Sequence, residues 1–138
     1  MTTIVVTRTA IYADTFCTYS IPFKRCKIDR IGKSIYGGCG SSADILKFFA
    51  WRRGGDRPEF SDDASFDVIE LNKQGMFFWD KDLIVIPIEE KIYAIGSGGA
   101  FAMGALAAGA DPVKALKIAA KYDPNTRAPF DSMDLKET

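Results

Sequence analysis

The feature of this sequence that most limits its possible folds is a run of four short apolar segments between residues 65 and 95, joined by short polar connections. The segments cover residues 65–71, 75–79, 83–87 and 92–95. They are rich in β-branched and aromatic side chains, which is typical of strands, and short polar turns join strands that are antiparallel neighbours. The run therefore predicts an antiparallel sheet.

Predicted helices lie on both sides of this run in the sequence. Ser41 is a predicted N-cap for a helix over residues 42–53. A second helix is expected over residues 100–108, and Pro112 stands at the first position of a third. Helices that alternate with groups of local hairpins predict an α+β fold, in which the helices pack on antiparallel sheets.

The two ends of the chain are predicted to differ. Two strands open the sequence at residues 3–8 and 10–14, whereas residues 131–138 are polar and are expected to fray. The length of 138 residues is that of one domain, so we expect residues 1–138 to form a single unit.

The chain contains no histidine, and this excludes several kinds of catalytic site. Neither a Ser-His-Asp triad, nor a Cys-His dyad, nor an H-E-x-x-H zinc helix can form. The three cysteines include no C-x-x-C pair, so we expect free thiols, no metal and no cofactor. Free thiols also favour a reducing, cytoplasmic setting.

The charges of the chain balance, with 18 Lys and Arg residues against 18 Asp and Glu. Residues 24–33 carry five basic side chains, which indicate either a local nucleic-acid site or a solvated face. The neutral net charge favours the solvated face. Residues 92–110 lack charge, but glycines interrupt them, and the segment is too weakly apolar for a membrane span. No nucleic-acid or membrane partner is therefore expected.

A glycine-rich segment, G-S-G-G at residues 96–99, follows a predicted strand and precedes a predicted helix. It is open to two interpretations. A dinucleotide-binding loop would need a third glycine at position 101, where the chain has Phe101. Tight packing between strand and helix explains the glycines better, but it leaves Ser97 without a role.

Thr2 follows the initiator methionine and is a candidate nucleophile. Removal of Met1 would give Thr2 both a hydroxyl and a free α-amine. Such an amine has an ordinary pKa of about 7.7–8.0, so it can serve as the general base that histidine supplies elsewhere.

Five further motifs follow the opening T-T-I-V along the chain. They are A-D at 13–14, K-R-C-K-I-D at 24–29, Y-G-G-C-G-S-S-A-D at 36–44, A-I-G-S-G-G at 94–99 and Y-D-P-N-T at 122–126. With these motifs the chain resembles the β-type proteasome family of N-terminal nucleophile (Ntn) hydrolases, in particular its HslV-like members. The resemblance implies a four-layer αββα sandwich and a threonine-type peptidase activity.

The resemblance also implies a role for each matching residue. Thr2 would be the nucleophile, Lys24 the lysine beside it and Asp14 the partner of that lysine. The backbone N–H of Cys39 would bind the oxyanion. Ser97, Asp123 and Thr126 would orient the terminal amine, and Thr18 and Gly37 would line the bound peptide strand.

The expected partners follow from the same resemblance. They are a peptide or an unfolded protein as substrate, further copies of the chain in a homo-oligomer, and an ATPase unfoldase. Residues 54–65 stand where the family has a second helix, so we expect a minimal fold that lacks it. Phe48 and Trp51 are predicted to face outward from the first helix and to contribute to self-association.

Two alternatives to the peptidase remain open at this point. If Met1 is retained, Thr2 has no free amine, and the chain would be a catalytically silent binding or assembly module. If Met1 is removed, the same nucleophile could instead hydrolyse the amide bond of a small metabolite.

Overall fold

The computed structural model describes residues 2–136, so Met1 and residues 137 and 138 lie outside the described residues. The described chain forms eleven strands and three helices. The helices are α1 (Ser42–Arg52), α2 (Gly99–Ala107) and α3 (Pro112–Tyr122). The strands are β1 (Thr3–Thr7), β2 (Ala10–Asp14), β3 (Phe16–Cys17), β4 (Phe23–Lys24), β5 (Ile28–Ile31), β6 (Ser34–Gly40), β7 (Phe66–Asn72), β8 (Gly75–Trp79), β9 (Ile86–Ile88), β10 (Ile92–Gly96) and β11 (Phe130–Asp134).

Two antiparallel sheets form the centre of the molecule. The first has the strand order β10-β1-β2-β11 and the second the order β5-β6-β7-β8-β9, while β3 and β4 form a separate two-stranded ribbon. Apolar side chains of both sheets meet between them, α1 packs on the outer face of the second sheet, and α2 and α3 pack on the outer face of the first. The predicted α+β class and its αββα layers are confirmed. No helix within residues 2–136 is long and apolar enough to cross a membrane.

Strand β1 is covered on both faces, which explains its uninterrupted apolar sequence. Side chains alternate between the two faces of a strand. Ile4 and Val6 therefore enter the cluster between the sheets, whereas Val5 enters the cluster beneath α2 and α3, and all three are fully buried. Because β10 and β2 flank β1 on either side, Thr2 is held at the end of a rigid central strand.

Within residues 2–136, the helical layer on the second sheet contains only α1. Residues 54–65 form turns and irregular backbone without a helix, as the sequence predicted. The prediction of an outward-facing Phe48 is wrong, because the rings of Phe66, Trp79 and Trp51 pack around it. Phe48 is fully buried and Trp51 is half-buried.

The polar end of the chain is ordered as a strand. β11 pairs with β2 along the whole length of both strands, from Phe130 opposite Asp14 to Asp134 opposite Ala10. The expected fraying is therefore wrong over residues 131–134. Without β11 one edge of β2 would expose unpaired N–H and C=O groups, and pairing satisfies them even for a polar sequence.

Candidate active site

Thr2 lies at the start of β1, where the glycines of the G-S-G-G segment make room for it. Thr2 is 5% exposed. Gly96 has a φ of +100°, and a side chain there would collide with the Thr2 carbonyl oxygen. A side chain on Gly98 would collide with the hydroxyl of Thr3. Close packing around the first residues of β1 accounts for these two glycines.

Lys27 is the lysine beside the Thr2 hydroxyl. Its Nζ donates hydrogen bonds to Thr2 Oγ1 (2.6 Å), Asp14 Oδ1 (2.9 Å) and the Phe16 carbonyl oxygen (2.6 Å). The side chain is 4% exposed. A buried ammonium is stable only when it is paired and hydrogen-bonded, and these three acceptors meet that requirement.

Asp14 is the fully buried counter-ion of Lys27. Its carboxylate also accepts hydrogen bonds from three backbone N–H groups, those of Thr3 (3.1 Å), Arg127 (3.2 Å) and Phe16 (3.4 Å). The carboxylate thus ties together the start of β1, the end of β2 and the segment before β11. This fixes the position of the Lys27 ammonium against the Thr2 hydroxyl.

The placement of the lysine at Lys24 is wrong by three residues. Lys24 is an exposed residue of β4, in register opposite Phe16 in the small ribbon. Lys27 immediately precedes β5, and its carbonyl oxygen accepts a hydrogen bond from the Gly38 N–H. No alternation of apolar and polar residues marks this position, because β5 reads Ile-Asp-Arg-Ile and is defined by its pairing with β6.

Ser97 connects the backbone nitrogen of Thr2 to a carboxylate. Ser97 Oγ accepts a hydrogen bond from the Thr2 N–H (3.2 Å) and donates one to Asp123 Oδ2 (2.6 Å). Thr126 Oγ1 donates to the same oxygen (2.6 Å), and the Asn125 N–H donates to Oδ1 (3.1 Å). Burial alone would raise the pKa of the Asp123 carboxyl, but these hydrogen bonds outweigh it and hold that pKa below its usual value.

Thr3 extends this hydrogen-bonded chain into the core. Its Oγ1 lies 2.7 Å from Thr126 Oγ1. Because the Thr126 hydroxyl donates its proton to Asp123, the Thr3 hydroxyl must be the donor in the Thr3–Thr126 bond. Thr3 and Thr126 are both fully buried, and the sequence analysis assigned no role to Thr3.

The backbone N–H of Cys39 does not face the site, so the prediction that it binds the oxyanion is wrong. Backbone N–H groups alternate sides along a strand. The Gly38 N–H bonds Lys27 on the β5 side, and the Ser41 N–H bonds Ser65 on the β7 side. The Cys39 N–H is therefore directed to β7, and the N–H of Gly40 is directed to the side of Lys27. The Cys39 thiol is buried between the sheets, which raises its pKa to about 12.

A cavity of about 300 Å³ opens beside Thr2. Its walls include Lys27, Gly40 and Thr18, and the resemblance predicted Thr18 to lie beside a bound peptide. Gly37 is not one of the residues in these walls. A side chain at Gly37 would point into the core between the sheets and contact Ile4. Because successive residues of a strand face opposite sides, Gly37 faces the core, and its predicted position beside the bound peptide is wrong.

Comparison with known proteins identifies relatives by structure alone. No protein-family model matches the sequence, and no curated protein matches it. Among solved structures, BPH of Thiobacillus denitrificans superposes with a TM-score of 0.76 at 22% identity, over 99% of this chain and 100% of the other. A structure of BPH in complex with epoxomicin gives 0.73 at 23% identity, over 98% of each chain. HslV from Trypanosoma brucei gives 0.73 at 24% identity, over 96% of this chain and 98% of the other.

These matches extend over nearly the whole chain, and their α and β layers correspond to those described above. TM-scores of 0.76 and 0.73 over nearly complete chains establish a shared fold, and at identities of 22–24% they establish the fold alone. The chain therefore has the fold of the HslV-like, proteasome-type proteins.

Proposed function

We propose that this chain is a threonine-type peptidase whose nucleophile is Thr2, exposed by removal of Met1. One observation carries the proposal: a buried ammonium, paired with a buried carboxylate, donates a 2.6 Å hydrogen bond to the Thr2 hydroxyl at the wall of an open cavity. A threonine in the core of an ordinary structural protein has no need of such a neighbour, because burying a charged pair costs free energy of desolvation.

The reaction begins with attack of Thr2 Oγ1 on a peptide carbonyl carbon. The α-amine of Thr2, held by Ser97 Oγ, takes the hydroxyl proton through a water molecule. The positive charge of Lys27 favours the ionised hydroxyl over the neutral one. The protonated amine then passes its proton to the leaving amine of the substrate, and an ester to Thr2 remains. Water activated by the same amine hydrolyses that ester and restores the enzyme.

The developing oxyanion needs a donor, and the Gly40 N–H is the candidate. It is directed away from the β7 ladder, and Gly40 lines the cavity together with Thr2. A fixed backbone donor of this kind contributes to the transition state without reorganisation, typically about 2.7–4 kcal/mol. The φ of +109° at Gly40 and the close approach of the Ser65 carbonyl oxygen leave no room for a side chain there.

The silent-module alternative is motivated by the helical layer. α1 stands alone on the second sheet, and residues 54–65 replace the second helix that the family resemblance implies. That loss changes the surface available for subunit contacts without touching the residues around Thr2.

We propose that the protein is a homo-oligomer of altered geometry, with an ATPase unfoldase as partner and unfolded protein as substrate.

Intact mass of the natively expressed protein, followed by a peptidase assay, tests the proposal. We expect loss of Met1 and hydrolysis of unstructured peptides. Thr2→Ala should abolish the activity, whereas Thr2→Ser should retain part of it, because serine keeps both the amine and the hydroxyl. Retention of Met1 in the whole population would overturn the proposal and favour the silent module, whereas full activity of Thr2→Ala would overturn the assignment of Thr2 as the nucleophile.

Epoxomicin provides a second test, since the similar BPH is known in complex with it. We expect epoxomicin to inhibit hydrolysis and to raise the melting temperature of the wild-type protein. The same compound should leave the melting temperature of Thr2→Ala unchanged. Hydrolysis of small amides together with no hydrolysis of peptides would instead identify an Ntn amidase.

A further inference from the structure

The cavity beside Thr2 carries an uncompensated positive charge. Among the described residues that line it, two are cationic, Arg25 and Lys27, and none is acidic. The charge of Lys27 is balanced by Asp14 at 2.9 Å. Arg25 makes no ion pair within 4 Å and no side-chain hydrogen bond to the part of the chain that the structure describes, although it also lines a second cavity together with Asp131. Within the cavity beside Thr2, its charge is therefore the one without a carboxylate partner.

The backbone holds Arg25 in place at the wall. Its N–H donates a 2.7 Å hydrogen bond to the Thr15 carbonyl oxygen, which joins the segment before β5 to the end of β2. The side chain is half-buried, so its guanidinium is less hydrated than that of a fully exposed arginine. An arginine that is partly desolvated and without a carboxylate partner binds a carboxylate more tightly than a solvated one does.

The N-terminal end of α1 supports the same charge preference. Ser41 and Ser42, at this end of α1, line the cavity, and the Ser41 hydroxyl caps the helix by accepting a hydrogen bond from the Asp44 N–H. The first backbone N–H groups of a helix have no partner within the helix and favour a nearby anion. Asp44, the acidic residue of this first turn, is not in the cavity wall and lies 3.9 Å from the ammonium of Lys47.

The position of the cavity relative to Thr2 determines which substrate side chain enters it. The carbonyl carbon that Thr2 Oγ1 attacks belongs to the residue on the N-terminal side of the bond that is cut. The side chain of that residue is attached one bond from the attacked carbon, so the cavity adjoining Thr2 is the nearest space for it. Its volume of about 300 Å³ accommodates a side chain of the size of glutamate.

Building on the proposed peptidase function, we infer that Arg25 makes this enzyme select peptides with an acidic residue immediately before the cleaved bond. The carboxylate of that residue pairs with the Arg25 guanidinium in the cavity that the N-terminal end of α1 also lines. Neutral residues of the same shape leave the guanidinium unpaired, and basic residues bring two positive charges together.

The test compares kcat/KM for three peptides that differ only at this position, with Glu, Gln or Lys. We expect about tenfold to hundredfold higher kcat/KM for Glu than for Gln in the wild-type protein, as for a charge-assisted hydrogen bond in a partly buried site. Arg25→Gln should bring the Glu:Gln ratio close to one, and Arg25→Glu should favour the Lys peptide. Lys24→Gln is the matched control, because it removes a neighbouring positive charge outside the cavity and should leave the ratio unchanged.

A binding measurement keeps the inference separate from the proposed function. Product-like peptides that end in Glu or Gln are added to the wild-type, Arg25→Gln and Lys24→Gln proteins, and their melting temperatures are compared. A larger stabilisation by the Glu peptide, lost only in Arg25→Gln, supports the inference even if no peptide is cleaved. Equal kcat/KM for the Glu and Gln peptides, or a ratio that Arg25→Gln does not change, overturns it even if the protein is an active peptidase.

Discussion

The buried ammonium of Lys27 contributes to both stability and chemistry at the candidate site. It lies between the Asp14 carboxylate and the Thr2 hydroxyl, so the same positive charge that neutralises Asp14 can stabilise a negative charge on Thr2 Oγ1. The three backbone N–H groups on Asp14 hold that carboxylate still. A charge positioned in this way requires no rearrangement when the nucleophile ionises.

Replacing Lys27 should therefore have two effects that replacing Lys24 does not. Lys27→Ala should reduce peptide hydrolysis at least 100-fold, and it should lower the free energy of unfolding by about 3–5 kcal/mol, because Asp14 is left as an unpaired buried charge. Lys24→Ala should change either quantity little, since Lys24 is exposed. Activity assays and urea unfolding of both variants test this, and a greater loss of activity in Lys24→Ala would contradict it.

The hydrogen bonds on Asp123 predict a pH-dependent effect of Ser97. Because they hold the pKa of Asp123 below its ordinary value of 3.8, they stabilise the folded state above that pH. This contribution falls as the pH drops through 3.8 and is lost below the pKa in the folded state. Ser97→Ala should destabilise the protein by about 1–2 kcal/mol at pH 7, and by less at pH 3. Urea unfolding at the two pH values measures the difference, and an equal deficit at both would contradict it.

Sequence reasoning located residues of this site where a motif fixes the register, and it failed where the register depends on strand pairing. Asp14 ends β2 and Ser97 lies within the G-S-G-G segment, so their positions follow from local pattern. Choosing between Lys24 and Lys27 requires knowing that Lys24 belongs to β4 and that Lys27 precedes β5. Choosing between Cys39 and Gly40 requires knowing the side of β6 to which each N–H group points. Both distinctions depend on pairing between segments that are distant in sequence, which composition and spacing do not reveal.

At the scale of elements, the junction between β10 and α2 holds the start of β1 in position. Gly98 is the N-cap of α2 and lies against the Thr3 hydroxyl, the Thr126 hydroxyl and the Ala119 side chain. The absence of a side chain at Gly98 lets α2 begin against the side chain of Thr3, the residue next to the candidate nucleophile.

This packing predicts opposite effects for two glycines of the same region. Gly98→Ala should destabilise the protein by about 1–3 kcal/mol and impair hydrolysis, because the added methyl group displaces Thr3 and with it Thr2. Gly104→Ala, inside α2 with no atom within 4 Å of the added methyl, should stabilise by up to about 1 kcal/mol. Thermal unfolding of the pair provides the comparison, and a stable, fully active Gly98→Ala protein would contradict the packing argument.

The elements that sequence reasoning missed are those that tertiary pairing creates. β3 and β4 contain two residues each, too few to show a period of two. β11 is a polar segment that becomes a strand because β2 offers it an edge. By contrast, α1 and α3 are signalled locally by their caps, since Ser41 accepts a hydrogen bond from the Asp44 N–H and Asp111 from the Lys114 N–H.

At the scale of the whole molecule, the layers bury most apolar side chains but leave a pair of aromatic rings outside. Phe101 of α2 is 43% exposed and Tyr122 of α3 is 59% exposed, and their ring centroids lie 5.7 Å apart. Val113 of α3 is exposed on the same helical layer. Phe48, which the sequence analysis expected at the surface, contributes nothing here because it is fully buried. The α2–α3 layer is thus one apolar surface available for self-association, beside the exposed stacked rings of Tyr19 and Phe23 and the exposed residues 84–86.

We therefore predict that the protein self-associates through the α2–α3 layer and that charge placed on this layer weakens the association. Light scattering at micromolar concentration should give a mass that is a multiple of 15.2 kDa for the wild-type protein. Phe101→Lys combined with Tyr122→Lys should lower that mass, because two like charges on each copy oppose the burial of the aromatic pair. Leu46→Lys is the matched control, since Leu46 is exposed to a similar extent on α1, in the opposite helical layer. A wild-type monomer would contradict self-association, and a mass that falls only in Leu46→Lys would place the interface on α1.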